Sequence, residues 1–257
     1  MPTRRRLVTA CALLVATVSG CGLGDLFSKS TSTIKLFATH AGTPDDMGFP
    51  DYGEAGSTRV FMTDMGWEVA LDEIYVTTAD IQLVRCGEQE GTSIEMFWGT
   101  CPEDFVGYDD RETLPLGAVT IDDGSFCGVD VVFSPYIEDG DTDEHTKPAN
   151  PDVVGKTVLI SGIARRDLGN DMFEEIPFAF TSEQTIIAKL DISTLEAGGP
   201  LRLAKENFAR NLTVLKTYDQ FFSGIDFASA TSADIEAAVL SSLEYDTRVY
   251  DGATVAG

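Results

Sequence analysis

Residues 67–86 read WEVALDEIYVTTADIQLVRC. Trp67, Val69 and Leu71, then Ile74 and Val76, then Ile81 and Leu83, stand at alternate positions, so one side of an extended chain is apolar. Acidic residues interrupt the alternation, which predicts short strands joined as a meander that begins at Arg59–Met62. The same period extends outward in both directions. Upstream, Thr33–Thr39 alternates and is rich in β-formers. Downstream, 118–121 and 125–133 flank Asp122-Asp123-Gly124, which predicts a hairpin with Asp-Gly at its turn. Thr157–Ala164 predicts an apolar strand with a bulge at Gly162, followed by a turn over 165–171. Phe173–Phe180 alternates around Pro177, which lacks an N–H and so belongs at a sheet edge or a strand entry. Ile186–Ile192 and Leu212–Thr217 complete the series.

Helical signal comes late. Tyr218–Gly224 predicts a single turn presenting Tyr218, Phe221 and Phe222. A helix over about 232–245 follows, capped by Thr231, with Asp234 near its positive end and Ile235, Val239, Leu240 and Leu243 as its apolar stripe. Many strands and one C-terminal helix give a mainly β chain, an antiparallel β-sandwich with an open barrel as the alternative. The segments 40–57 and 87–113 read as long rim loops, and residues 34–257 as a single domain.

The chain of 257 residues has 18 Lys and Arg against 42 Asp and Glu, a formal charge of −24. No basic cluster follows Arg6, so the footprint that a nucleic-acid backbone requires is missing. Arg4-Arg5-Arg6 precede an apolar run from Leu7 to Val18, the form of a secretory signal over residues 1–20. Its end, Val18-Ser19-Gly20-Cys21, is similar to a bacterial lipobox, which implies cleavage before Cys21 and acyl chains, palmitate among them, on its thiol. Residues 21–33 then form a Gly/Ser/Thr-rich tether. Gly22, where Asp would favour inner-membrane retention, points to the outer membrane. Removing the signal leaves 15 basic and 42 acidic side chains, a body of −27 that an anionic leaflet repels.

Cys86, Cys101 and Cys127 remain in the body, and an oxidising envelope favours one disulfide and one odd thiol. Cys86–Cys101 closes the shorter loop, worth about 3 kcal/mol in the chain-entropy model, and Cys86–Cys127 slightly more. Cys86 ends one predicted strand and Cys127 sits inside another, which favours Cys86–Cys127 and leaves Cys101 in a loop.

Four separated stretches carry a resemblance: Trp67–Cys86; Gly124-Ser125-Phe126-Cys127-Gly128-Val129 with the strand after it; Ile160–Ala164 leading to Ile176-Pro177-Phe178; and Leu212–Phe227. Together they resemble periplasmic β-sandwich proteins related to the methanobactin-associated copper-binding protein, over about half of the chain. The resemblance implies a secreted, often lipidated protein and, in one branch, a dihaem cytochrome partner that oxidises a tryptophan. No copper ligand and no modified tryptophan of that family falls on an identifiable residue here.

Candidate chemistry is sparse. Asp139, Asp141 and Asp143 alternate in a turn-prone acidic segment ending at His145, and clustered carboxylates in a loop suit calcium. The helix–loop–helix calcium pattern is absent, since its Gly and final Glu would fall on Glu144 and Asn150; a solvated acidic loop is the plainer reading. His40, in a Gly/Pro-bearing loop, and His145 could bind copper with Met47, Met62, Met65, Met96 or Cys101. Two histidines in the whole chain also read simply as surface or capping residues. Phe97 and Trp98 form an aromatic pair between Cys86 and Cys101, a candidate partner patch or packing under the loop. Neither Gly-x-Ser-x-Gly nor a phosphate-binding loop occurs. The sequence therefore leads to a lipid-anchored, non-enzymatic binding protein for copper, calcium or an envelope redox partner. A structural or assembly accessory of an outer-membrane complex comes next, and a hydrolase last.

Overall fold

The computed structural model describes residues 30–42, 53–109, 112–138, 147–196, 199–204 and 209–253. A five-stranded sheet contains β1 (Thr31–Ala41), β5 (Glu95–Met96), β7 (Leu114–Asp122), β13 (Ala209–Thr217) and β14 (Arg248–Asp251), in the order β14-β13-β1-β7-β5. The nine-stranded sheet has β10 (Met172–Ser182), β9 (Val158–Gly169), β3 (Glu68–Arg85), β8 (Gly124–Phe133) and β11 (Ile186–Asp191) along its main path. To it are added β2 (Arg59–Met62), β4 (Gly91–Ser93) and β6 (Cys101–Asp104) on β3, and β12 (Leu201–Leu203) on β8. Ile34, Leu36 and Ala38 from one sheet and Val69, Leu71, Val129 and Val131 from the other share one buried cluster, so the layers form a sandwich. The helix α1 (Ser232–Tyr245) packs on β10 and β11 through the stripe read from sequence, and Thr231 and Asp234 complete its capping box.

Several expectations change form. The meander of short strands is a single 18-residue strand, β3. Its register with neighbours shifts between Leu71 and Glu73 and between Thr78 and Asp80, so the polar interruptions are bulges in a continuing strand. The expected hairpin around Asp123 is a corner: β7 lies in one sheet and β8 in the other. Asp123 accepts hydrogen bonds from Ser30 and, at 2.7 Å, from Ser32 Oγ, tying the corner to the start of β1. Because β1 begins at Thr31, the last residues assigned to the tether are strand. β1 and β13 pair in parallel, a departure from the all-antiparallel expectation that the long intervening chain permits.

The turn expected over 165–171 shrinks to Asn170 and Asp171, both at positive φ between paired Gly169 and Met172, as a type I′ turn requires. The charged segment stays paired because Arg166 meets Glu174 at 2.9 Å and Arg165 lies over the Phe173 ring. Pro177 does sit on a strand at the end of the sheet path. The rim segment 87–113 contributes β4, β5 and β6, crossing from the larger sheet to the smaller and back.

Candidate functional site

The inward face of β1 runs Ile34, Leu36, Ala38 and then His40. In the neighbouring β13 the same face runs Leu212, Val214 and then Lys216, and His40 stands opposite Lys216 in the register. Both polar side chains therefore occupy core positions at one end of the smaller sheet. From the larger sheet, β6 turns Cys101 and Glu103 inward, with Phe105 just beyond. Glu103 bridges the layers. Its Oε1 lies 2.8 Å from His40 Nδ1, and its Oε2 accepts from Lys216 Nζ. The His40 ring stacks on Phe105 at 4.4 Å between centroids and 6° between planes, and Tyr218 closes in at 6.3 Å.

Burial alone would raise the Glu103 carboxyl, but the Lys216 charge and the His40 hydrogen bond outweigh it and hold its pKa below the ordinary value. Cys101 goes the other way: burial first, then the Glu103 charge, push the thiol up to about 12, with Lys216 opposing. Tyr108 is raised by burial first and then by nearby negative charges, Asp104, Glu112 and Glu103 among them, so its hydroxyl stays protonated. Arg59, also buried, fastens the surrounding loops by donating from Nε to Phe105 O at 2.8 Å, from Nη1 to Glu54 O at 2.8 Å, and to Tyr108 O.

A cavity of about 290 Å³ opens beside this set, lined by Ala38, His40, Glu103, Tyr108, Glu112, Thr113 and Leu114. The His40 Nδ1 contact to the Glu103 carboxylate fixes the orientation of the ring, as a carboxylate behind a metal-binding histidine does. Among the described residues no three His, Cys, Asp or Glu side chains converge closely enough to form a metal cage.

Only some of the expected site residues are among those described. His40 is not in an accessible loop; it is 1% exposed and belongs to β1. Cys101 is buried and free, while Cys86 and Cys127 are joined as expected. Phe97 is 47% exposed and meets Trp98 edge to face at 6.2 Å. Met62 and Met65 are exposed on the β2–β3 turn. Cys21, Met47, Asp139, Asp141, Asp143 and His145 lie outside the described residues. Sequence reasoning missed Glu103 and Lys216. A signal for the latter exists, because continuing the Leu212, Val214 alternation places a lysine on the core face. Among the described residues no helix is long and apolar enough to cross a membrane.

A scan against known protein families finds no match, and neither does a search of curated proteins. Among solved structures the chain is similar to MbnP from Methylosinus trichosporium, at 9% identity and a TM-score of 0.37, over 88% of this chain and 99% of that one.

Proposed function

We propose that this chain is a lipid-anchored, non-enzymatic binding protein of the bacterial outer membrane, and that the cavity beside His40 seats a cation, with copper the ion its imidazole suits. The observation that carries the reading is the His40–Glu103–Lys216 set at core positions. Burying a carboxylate and an ammonium in a sandwich costs desolvation that apolar side chains would avoid. What the arrangement provides is a fixed histidine lining a cavity that Glu112, Tyr108 and Thr113 line as well. His40 and Glu112 would hold the ion, which supplies the positive charge that this acidic chain favours in a small ligand.

Calorimetric titration of the body beginning at Gly22 with copper and with calcium tests the reading. Saturable copper uptake is expected, abolished by His40→Gln, weakened by Glu112→Gln and unchanged when Asp139, Asp141 and Asp143 all become Asn. Uptake lost only in the triple Asn variant would move the site to the acidic loop, and no saturable uptake would end the metal reading. The anchor is tested separately. Intact-mass analysis of protein extracted from membranes should find Cys21 as an acylated N-terminus, and a bare thiol there would refute the lipoprotein reading.

The exposed Phe97, edge to face with Trp98, favours a second reading as an assembly accessory. Thr100 supports that pair by donating to Ile137 O at 3.2 Å and accepting from Ile137 N at 2.9 Å, which brings exposed Ile137 to the same rim. Under this reading, Phe97→Ser would release an envelope partner without altering copper uptake.

A further inference from the structure

The solvent face of the larger sheet carries an apolar row running across four strands. Val60 pairs with Ala70, Ala70 with Ile163, and Ile163 with Pro177, so these side chains share one face from β2 to β10. The next row on that face is Met62, Glu68, Arg165 and Glu175, and Phe173 continues it toward the β9–β10 turn. On this face Ile163 is 42% exposed, Phe173 48% and Met62 62%. Further along the same face the protein covers its own apolar surface: Tyr75 and Leu159 are buried with Tyr136 and Val153. The cover stops short of Ile163.

We propose that this uncovered face docks a protein partner whose contact surface is apolar at its centre and rich in Lys and Arg at its edge. Charge complementarity selects that occupant. Glu68, Asp167, Asp171 and Glu175 surround the apolar residues, while Arg165 is drawn over the Phe173 ring at 3.6 Å and lies 3.9 Å from Glu175. A second copy of this chain would set acid against acid, and an anionic leaflet would do the same, so both are disfavoured by like charge. Strand addition along β10 is also interrupted, because Pro177 offers no N–H in the middle of that strand. Contact through side chains on the face remains, and its anchors are the aromatic Phe173 and the adaptable Met62. The proposal is independent of the cation cavity.

Photocrosslinking tests it in the full-length chain. Benzoylphenylalanine placed at Phe173 or at Ile163, with Ile187 on β11 as an exposed control, would be irradiated in the native host and the adducts identified by mass spectrometry. One non-self protein is expected from both test positions and not from the control. That protein, purified, should bind the wild-type body more weakly as salt is raised. It should bind the Phe173→Ser variant and the Ile163→Thr variant at least about tenfold more weakly, with circular dichroism checking that both fold. Adducts to a second copy, to lipid, or to nothing beyond the control would overturn the proposal. Binding of the purified protein indifferent to those substitutions would do so as well.

Discussion

Desolvation and pairing oppose each other at Glu103, and pairing wins. Its carboxyl titrates below the ordinary value of 4.5, so the folded state binds that proton less tightly than the unfolded chain does. The stabilisation it contributes is therefore complete above about pH 4.5 and is lost as pH falls through the lowered pKa. Urea unfolding followed across the acid range should show this loss, and Glu103→Gln should flatten it. At neutral pH the same substitution leaves the Lys216 ammonium buried against a neutral amide, and a loss of about 3–5 kcal/mol is expected. Two residues away, Cys101 is a small buried hydrophobe whose thiol stays protonated up to about pH 12. A thiol-specific reagent at pH 8 should leave it untouched in the native protein and label it fully once the chain is unfolded. Rapid native labelling would contradict its place behind Glu103.

At the scale of the element, Gly162 shows what a bulge demands of its neighbour. It stands opposite Leu71 where β3 inserts its extra residue, and a Cβ built there would come within 2.3 Å of Ala70 O. Gly162→Ala should cost about 1–3 kcal/mol in chemical denaturation, since backbone rather than a flexible side chain would have to move. The sequence marks Gly162 as a bulge position, and the insertion itself lies across the ladder in β3. Strands were legible because period-two burial is local: Val69, Leu71, Val129 and Val131 declare their face without reference to distant chain. Their ends were less so, because Asp72-Glu73 looks the same in a turn as in a bulge. Sheet membership was not legible at all from Asp122-Asp123-Gly124, where a corner and a hairpin use the same residues. The deciding contacts, Ser30 and Ser32 on Asp123, are 93 and 91 residues away. The candidate site follows the same logic. His40 could be noticed, but Glu103 and Lys216 are 113 residues apart and meet only once β6 and β13 face each other.

For the whole molecule, Cys86–Cys127 links the end of β3 to β8 across a separation of 41 residues. Chain entropy assigns such a loop about 4 kcal/mol, so replacing both cysteines by serine should lower unfolding stability by about 2–4 kcal/mol. Copper uptake should survive that change, because the disulfide is at the Asp123 corner, where β1 begins, and His40 is at the other end of β1. The molecule then reads as a staple at one end and a charged seat at the other, with an acidic body between them. Its central claim is that the seat takes a cation through His40. In a His145→Gln variant His40 is the one remaining imidazole, so nitrogen-detected magnetic resonance reports on it without ambiguity. Adding one equivalent of copper(I) to the body should shift the His40 Nε2 resonance while Nδ1 keeps its proton toward Glu103. Saturable copper binding with both His40 nitrogens unmoved would contradict the account.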